Sequence, residues 1–201
     1  MSKNNETKTN FNIIISLTSL IILLLIVVIH QFLQKHNKKI SKKEVEEVQL
    51  QWANAIVRIS DIYLKNGNYQ AAALQAAQEL YAYGQSNVNG ILFKPTKAAE
   101  YPFRPTANEA LSYFIGGQNV DNGYKEDKGF AINGGKGWKK VEFQNHNIVC
   151  HDDVSIAMGT YFFTNATTNE RVKVEYTFGY KRNDDKKIRI FLHHSSVPYQ
   201  V

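Results

Sequence analysis

The stretch Lys186–Tyr199, KKIRIFLHHSSVPY, predicts the last strand of a sheet and decides how the rest of the chain is interpreted. Unlike side chains alternate along its first half, which is the period-two pattern of a strand with two different faces. The alternating pairs are Ile188 and Arg189, Ile190 and Phe191, and Leu192 and His193. Continued to the end of the stretch, the alternation puts His193 and Ser195 on one face and His194 and Ser196 on the other.

An imidazole beside a hydroxyl on one face can donate, accept and move protons near neutral pH. His193 and Ser195 are therefore candidate site residues. The alternative interpretation is that the four polar residues only finish a strand and are satisfied by backbone or water.

The excess of positive charge is confined to the first 43 residues. Seven of the 24 basic residues lie there, with Glu6 as the one acidic residue, so this segment carries a formal charge of +6. The remaining 17 basic and 17 acidic residues balance. Basic residues on both sides of an apolar segment are typical of membrane proteins, so we expect lipid and not nucleic acid as the partner.

Residues 11–33, FNIIISLTSLIILLLIVVIHQFL, predict one N-terminal transmembrane helix. The run is long enough as a helix to cross a hydrocarbon core of about 30 Å. It is longer than the core of a secretory signal, and no small-x-small cleavage site follows it, so we interpret it as a retained anchor. Residues 1–10 are predicted to be disordered, 34–43 to form a basic linker, and 44–201 to form the functional domain.

Two helices are predicted at the start of this domain. Apolar residues recur every three to four positions after Ser41, which caps the first helix with Glu44 as its capping-box partner. Gly67 ends that helix. The alanine-rich residues 69–83 predict a second helix that can pack closely against a neighbour.

Two polar segments surround a third predicted helix. The loop KPTKAAEYPFRPT, residues 94–106, contains three prolines that exclude a helix, and its last residue, Thr106, caps the helix that follows. The second segment is YKEDKGFAI, residues 124–132. One interpretation gives both segments structural roles only, with an ion pair between Arg104 and Asp127.

The remaining chain predicts antiparallel strands. Short strands are expected at 130–132 and 138–143 around the turn NGGKG, and a phase slip at Gly159 indicates a bulge in the strand 154–163. Helices followed by long antiparallel strands favour an α+β fold, in which a curved sheet wraps around about three helices and leaves a pocket.

The histidines and the cysteine do not form an obvious metal site. His193 and His194 are neighbours on a strand and point apart, so they cannot share one ion without distortion. Ligation by His193 with partners from elsewhere stays open. Cys150 is the one cysteine, so the chain can form no internal disulfide.

Five blocks occur in order between about Trp52 and Tyr199: LFKPTKAAEYPFRPT, ALSYFIGG, EDKGFAING, VEYTFGY and HHSS. Together they resemble the iota-class carbonic anhydrases. The resemblance implies a cone of the nuclear transport factor 2-like, SnoaL-like superfamily, in its calcium/calmodulin-dependent kinase association-domain version. It also implies reversible hydration of carbon dioxide to bicarbonate with no essential metal. Zinc or manganese is the alternative, because other members of the class have been described as dependent on them.

The resemblance also implies the site residues. Those expected to line the bicarbonate pocket are Thr106, Tyr124, His193 and Ser195. Apolar walls are expected from Phe103, Phe114 and Phe191, and secondary roles from Arg104, Asp127, His194 and Ser196. His193 is the expected base or proton shuttle, with the Tyr124 phenol second because its ordinary pKa near 10 needs a large depression.

Two further expectations concern assembly and location. Cones of this type are often binding modules, so the competing function is a non-catalytic ligand-binding or oligomerisation module, and a homodimer through an exposed sheet face is expected in either case. The lysines after residues 11–33 favour a cytoplasmic domain. Family members in bacteria often carry export signals, which favours the periplasmic side that we adopt.

Overall fold

The computed structural model of the chain describes residues 16–30, 39–88 and 90–200. It divides into two compact units, and the division falls between Lys38 and Lys39, inside the predicted linker. In the first unit, residues 16–30 form helix α1, whose large apolar side chains are exposed. Within the described ranges, no helix is both long enough and apolar enough to cross a membrane. The predicted anchor, 11–33, extends beyond the described residues at both ends, and the predicted disordered segment 1–10 lies wholly outside them.

Three helices begin the second unit, as expected. They are α2 (Lys42–Leu64), α3 (Tyr69–Leu80) and α4 (Ala107–Ile115). The two predicted capping boxes, at Ser41 and Thr106, are both present. Helix α3 ends earlier than predicted because Tyr81 is extended and forms an isolated parallel bridge with Ile190.

In the part of the chain that the structure describes, five strands form one sheet in the order β1-β5-β4-β3-β2. They are β1 (Leu92–Lys94), β2 (Trp138–His151), β3 (Val154–Asn165), β4 (Arg171–Arg182) and β5 (Ile188–Ser196). Strand β1 runs parallel to β5, and the other pairs are antiparallel. The expected α+β layout of a sheet packed on helices is confirmed.

The prediction of a strand at 130–132 is wrong. Phe130–Gly135 forms a 3-10 turn, and Asn133 and Gly134 inside it have φ angles of 51° and 58°. Residues 130–132 are helical parts of this turn, while the two left-handed residues lie in the predicted turn NGGKG, so strand pairing starts only at Trp138.

Besides a register shift at the start of β2, between Trp138 and Lys140, two bulges decide which side chains face the helices. The pairing of β2 with β3 shifts between Asn145 and Asn147, so the extra residue is His146, opposite the predicted position Gly159. A second shift, between Gly179 and its neighbour in β4, leaves Phe191 as the extra residue of β5. The strict alternation predicted along β5 is therefore wrong at this point.

The second bulge changes the phase of β5. Ile190 and His193, which strict alternation puts on opposite faces, both point into the core and are 0% and 3% exposed. Leu192 lies on the outer face, where it pairs with Gly179. After the bulge the alternation resumes, so Ser195 shares the inner face with His193.

The space between the sheet and the helices is filled mainly by aromatic rings. Trp52 of α2 is 1% exposed and lies at the centre of this core. Its indole contacts rings from three of the long strands and from β5, with centroids 5.7 to 6.3 Å away: Phe143, Tyr161, Phe163, Phe178 and His193. Aromatic packing of this kind leaves few partners for a polar atom, so each buried polar group here needs an identified one.

Candidate active site

The inner face of β5 carries a buried polar pair. His193 and Ser195 are each 3% exposed, and the Nε2 atom of His193 lies 2.9 Å from Ser195 Oγ. The hydroxyl of Tyr161, on β3, hydrogen-bonds Ser195 Oγ and lies 3.5 Å from His193 Nε2. The structure thus brings together the imidazole and hydroxyl that the sequence pattern places on one face, and adds a phenol to them.

The other nitrogen of the imidazole is also engaged. Tyr81, directly after α3, places its hydroxyl 2.8 Å from His193 Nδ1. The indole Nε1 of Trp52 donates to the same Tyr81 hydroxyl at 2.9 Å. We call the five residues Trp52, Tyr81, His193, Ser195 and Tyr161 the buried polar chain.

Aromatic rings enclose the His193 imidazole and control its charge. Phe93 stacks on it with centroids 4.6 Å apart, and the Phe178 ring centroid lies 4.0 Å away. Burial lowers the pKa of His193 well below its ordinary value, and the nearby His194 acts in the same direction. Burial raises the pKa of Tyr81 and of Tyr161. At neutral pH this group is therefore an uncharged imidazole among protonated phenols.

Thr106 and Tyr124 form a separate pair near the surface. Thr106 is exposed and caps α4, and its Oγ1 hydrogen-bonds Glu109 Oε2 at 2.7 Å. The Tyr124 hydroxyl donates to the other oxygen of Glu109 at 2.6 Å. The four residues expected in one pocket are thus divided between a buried pair and a surface pair, because the helix cap fixes Thr106 at the start of α4.

Tyr124 is the second candidate for the base or proton shuttle, after His193. Hydrogen bonding to the Glu109 carboxylate raises the pKa of the Tyr124 phenol, where a base would need it lowered. Burial raises the pKa of Glu109, but hydrogen bonds from Tyr124 and Thr106 outweigh that effect and keep it below its ordinary value. The carboxylate stays ionised and holds both hydroxyls.

Arg104 and Asp127 form the ion pair that the structural interpretation predicts. Arg104 Nη2 lies 2.9 Å from Asp127 Oδ1, and both side chains are fully buried. Ser112 donates to the other oxygen of Asp127 at 2.5 Å. The Arg104 guanidinium also lies 4.3 Å from the Tyr124 ring centroid. The pair joins the loop 94–106 to the segment 124–132.

Glu126 strengthens the same junction. Its carboxylate accepts backbone hydrogen bonds from residues 99, 100 and 101 at 2.7 to 3.0 Å. Burial alone raises the pKa of Glu126, but these hydrogen bonds and Arg104 lower it to about 2. The sequence pattern did not single out this residue, although its adjacency to Asp127 puts it in the polar segment.

The remaining predicted residues lie in other surroundings. Phe114 is buried in the core, but Phe103 is 67% exposed, so the rings around His193 are those of Phe93 and Phe178 instead. Phe191 is half-buried at the bulge. His194 and Ser196 lie on the outer face of the sheet beside a depression of about 350 Å³.

A cavity of about 210 Å³ opens between the segment 124–132 and α4. Tyr113 and Phe130 form part of its lining. Tyr113 contacts Phe93, which stacks on His193, while Phe130 contacts Phe163, which in turn contacts Tyr161. A layer of aromatic rings, two deep along both paths, therefore separates this cavity from the buried polar chain.

Metal ligation by His193 does not fit this geometry. Both of its ring nitrogens are within hydrogen-bond distance of hydroxyl groups, at 2.8 and 2.9 Å. Among the residues that the structure describes, no group of three or more His, Cys, Asp or Glu side chains is arranged to hold a metal ion.

Comparison with known proteins identifies the family. Residues 43–197 match the family model described as metal-independent carbonic anhydrase. The chain belongs to this family. The curated metal-independent carbonic anhydrase of Nostoc sp. (strain PCC 7120 / SAG 25.82 / UTEX 2576) is 36% identical over 165 residues, which cover 82% of this chain and 77% of the relative.

A solved structure of the same class supports the assignment. The crystal structure of an iota-carbonic anhydrase from a cyanobacterium, complexed with bicarbonate, superposes with a TM-score of 0.73 at 34% identity. The match covers 82% of this chain and 96% of that one. The resemblance seen in the sequence is thereby confirmed at the level of the metal-independent carbonic anhydrase family.

Three members of the buried polar chain are not predicted from the sequence. Trp52 lies on the apolar stripe of α2, Tyr161 on a strand of alternating residues and Tyr81 at the end of a helix, so each pattern predicts ordinary core packing. Their hydroxyl and indole groups meet only through the pairing of strands that are distant in sequence. One available signal was that Tyr and Trp, when buried, need a hydrogen-bond partner.

We expect the stability of this metal-independent carbonic anhydrase to fall as the pH drops from about 6.5 to 5. The unfolded chain binds a proton on His193 near pH 6.5, whereas the folded chain does not, so protons favour unfolding. Each such proton changes the free energy of unfolding by about 1.4 kcal/mol per pH unit. Urea unfolding at several pH values measures the slope.

The matched variants are His193→Phe and His151→Phe, the second of which removes an exposed histidine. The slope between pH 6.5 and 5 should become shallower in the first and stay unchanged in the second. Glu126 contributes at lower pH, because its pKa is about 2 in the folded chain. An unaltered slope in His193→Phe would show that His193 is not kept neutral by burial.

Proposed function

We propose that this chain catalyses the reversible hydration of carbon dioxide to bicarbonate and a proton, without an essential metal. The observation that carries the proposal is the family match over residues 43–197, which includes every residue of the buried polar chain. The curated relative is described as metal-independent, and the similar iota-carbonic anhydrase was crystallised with bicarbonate.

The surroundings of Ser195 and Tyr161 suit both reactants. Carbon dioxide is apolar and bicarbonate is an anion, so the site needs apolar walls and a few convergent donors. The aromatic core provides the walls, and the hydroxyl pair provides a donor. Donors fixed in advance stabilise negative charge as it develops on oxygen, when water adds to the carbon.

We assign the reacting position to Ser195 and Tyr161, with His193 behind them. The low pKa of His193 makes it a weak base, and both of its nitrogens are occupied. Thr106 and Tyr124 act outside this position, since their hydroxyls are held by Glu109. The cavity beside Tyr113 and Phe130 is the route by which we propose carbon dioxide reaches the aromatic layer.

Stopped-flow hydration of carbon dioxide by the full chain tests the function. The protein is purified in a mild detergent, dialysed against a strong chelator, and its metal content is measured on the same sample. We expect activity to persist with negligible metal. Activity that disappears and returns with zinc or manganese would support the metal-dependent alternative, and no activity under any condition would favour a non-catalytic binding module.

Two adjacent serines provide a matched test of the site. Ser195→Ala removes an inward hydroxyl, and we expect kcat/KM to fall about 100-fold, as when one donor to a developing oxyanion is lost. Ser196→Ala, on the outer face, should leave kcat/KM unchanged. Tyr124→Phe should retain most activity. A larger loss in Tyr124→Phe than in Ser195→Ala would move the reacting position to the surface pair.

We also propose that the chain forms a homodimer through the outer face of its sheet. A row of register partners crosses all five strands there and is apolar throughout: Val149, Ile156, Gly179, Leu192 and Leu92. Val149, Ile156 and Leu92 are 55%, 43% and 66% exposed. The same face carries Lys94 and Glu175, so a twofold axis can set opposite charges against each other.

Sedimentation velocity of the full chain in detergent tests this dimer. Ile156→Lys puts a charge into the apolar row and should yield a monomer. Leu74→Lys, at an exposed position of α3, should leave the dimer intact. A wild-type monomer at micromolar concentration, or equal behaviour of the two variants, would contradict the proposal.

Finally, we propose that residues 11–33 anchor the chain in a membrane and that the second unit lies on the periplasmic side. The apolar sequence and the exposed side chains of α1 support an apolar environment for this segment. In a bacterial host, the full chain should remain in carbonate-washed membranes, and a C-terminal alkaline phosphatase fusion should be active. A fluorescent C-terminal green fluorescent protein fusion would instead place the unit in the cytoplasm.

A further inference from the structure

The buried polar chain has a direction, and its origin is the indole of Trp52. An indole N–H can only donate a hydrogen bond, so Tyr81 must accept from Trp52 at 2.9 Å. The single proton of the Tyr81 hydroxyl is then directed to its other neighbour, His193 Nδ1, at 2.8 Å. His193 Nδ1 is therefore an acceptor.

This fixes the tautomer of the imidazole. A neutral histidine carries one ring proton, and with Nδ1 accepting, that proton must be on Nε2. His193 Nε2 then donates to Ser195 Oγ at 2.9 Å. Because burial keeps the ring neutral, no second proton changes this assignment.

The tautomer determines whether the Ser195 and Tyr161 hydroxyls can donate a hydrogen bond to a ligand. His193 Nε2, Ser195 and Tyr161 together carry three protons, and two of these are used, one from His193 to Ser195 and one between the two hydroxyls. The 3.5 Å contact of Tyr161 with Nε2 shares the same ring N–H. Within residues 39–88 and 90–200 these two hydroxyls form hydrogen bonds only with each other and with His193. One hydroxyl proton is therefore left over and can be donated to a ligand.

The opposite tautomer would reverse this property. If Nε2 accepted, Ser195 would donate to His193 and Tyr161 would donate to Ser195, so both hydroxyl protons would be used. The pair would then present lone pairs only. An oxyanion needs a donor, so it is held by the first arrangement and repelled by the second.

We propose that Trp52 and Tyr81 are positioning residues that hold His193 in the Nε2–H tautomer and thereby make the Ser195–Tyr161 pair a hydrogen-bond donor to bicarbonate. This inference deepens the proposed function and rests on it for the identity of the anion. The tautomer itself is independent of catalysis.

The test is ¹⁵N nuclear magnetic resonance of the full chain labelled at histidine nitrogens, in which the two neutral tautomers have distinct ring shifts. The His193 signals are assigned by their loss in His193→Gln. We expect the wild type to show Nε2–H only. Sodium bicarbonate is then titrated into the same sample, and its dissociation constant is read from the shift of these signals.

Two variants distinguish the effect of hydrogen-bond direction in the buried polar chain from the effect of side-chain packing. Trp52→Phe keeps the Tyr81 hydroxyl but removes the donor that orients it, and Tyr81→Phe removes the hydroxyl. In both, the Nδ1–H tautomer should appear, and the bicarbonate dissociation constant should rise about tenfold, which is the effect of losing one modest hydrogen bond. The matched control is Trp138→Phe, which removes an indole that donates to the Phe130 carbonyl at 2.7 Å.

The outcomes are distinct. An Nδ1–H or mixed tautomer in the wild type overturns the inference, as does an unchanged Nε2–H tautomer in both variants. If Trp52→Phe does not fold, Tyr81→Phe and the wild type still decide. Loss of bicarbonate affinity in Trp138→Phe to the same extent would assign the effect to packing and overturn it. A chain that lacks hydration activity but shows the expected tautomer and affinities would contradict the proposed function and leave the inference standing.

Discussion

The hydrogen bond between Tyr81 and the His193 imidazole is the interaction on which the interior of this protein depends. A histidine enclosed by Phe93 and Phe178 loses its contact with water, and a buried polar atom left without a partner costs about 1–3 kcal/mol. Both ring nitrogens must therefore be satisfied from within the core. Tyr81 satisfies one nitrogen and Ser195 the other. A shift in the end of α3 or in the phase of β5 would leave one of these nitrogens without its partner and would therefore lower stability.

A second buried interaction, an ion pair, holds together two polar segments of the domain. The Arg104–Asp127 pair fixes the two polar segments to each other, and Ser112 connects it to α4. Removing one member of such a pair leaves an uncompensated charge and costs about 3–5 kcal/mol. The pair therefore keeps Tyr113 and Phe130 in place, and with them the cavity that faces the aromatic layer. Rigid surroundings of this kind are what a site made of neutral hydroxyls requires, since neutral donors are effective only when already oriented.

The sequence predicted the fold well where local chemistry determines structure. Both capping boxes and the helices could be located because they depend on residues three or four positions apart. The inner pair of β5 was also predictable, although the bulge at Phe191 was not, because a bulge depends on the partner strand. Tyr81 and Tyr161 could not be assigned to the site, since their contacts with His193 and Ser195 span more than 30 positions. Thr106 matched a family motif, yet its hydroxyl is used by the helix cap.

The doubled motif HHSS limits the effect that the bulge at Phe191 has on the chemistry of the core. A slip of one residue exchanges the two faces of a strand, and in most strands it would replace the buried side chains with unrelated ones. Here the slip would bring His194 and Ser196 inward, so an imidazole next to a hydroxyl would face the core in either register. At the HHSS end of β5 an imidazole and a hydroxyl would thus face inward in either register, and the bulge determines which copy of the motif does so. The copy left outside lies on the outer face of the sheet, from which His194 adds to the lowering of the pKa of His193.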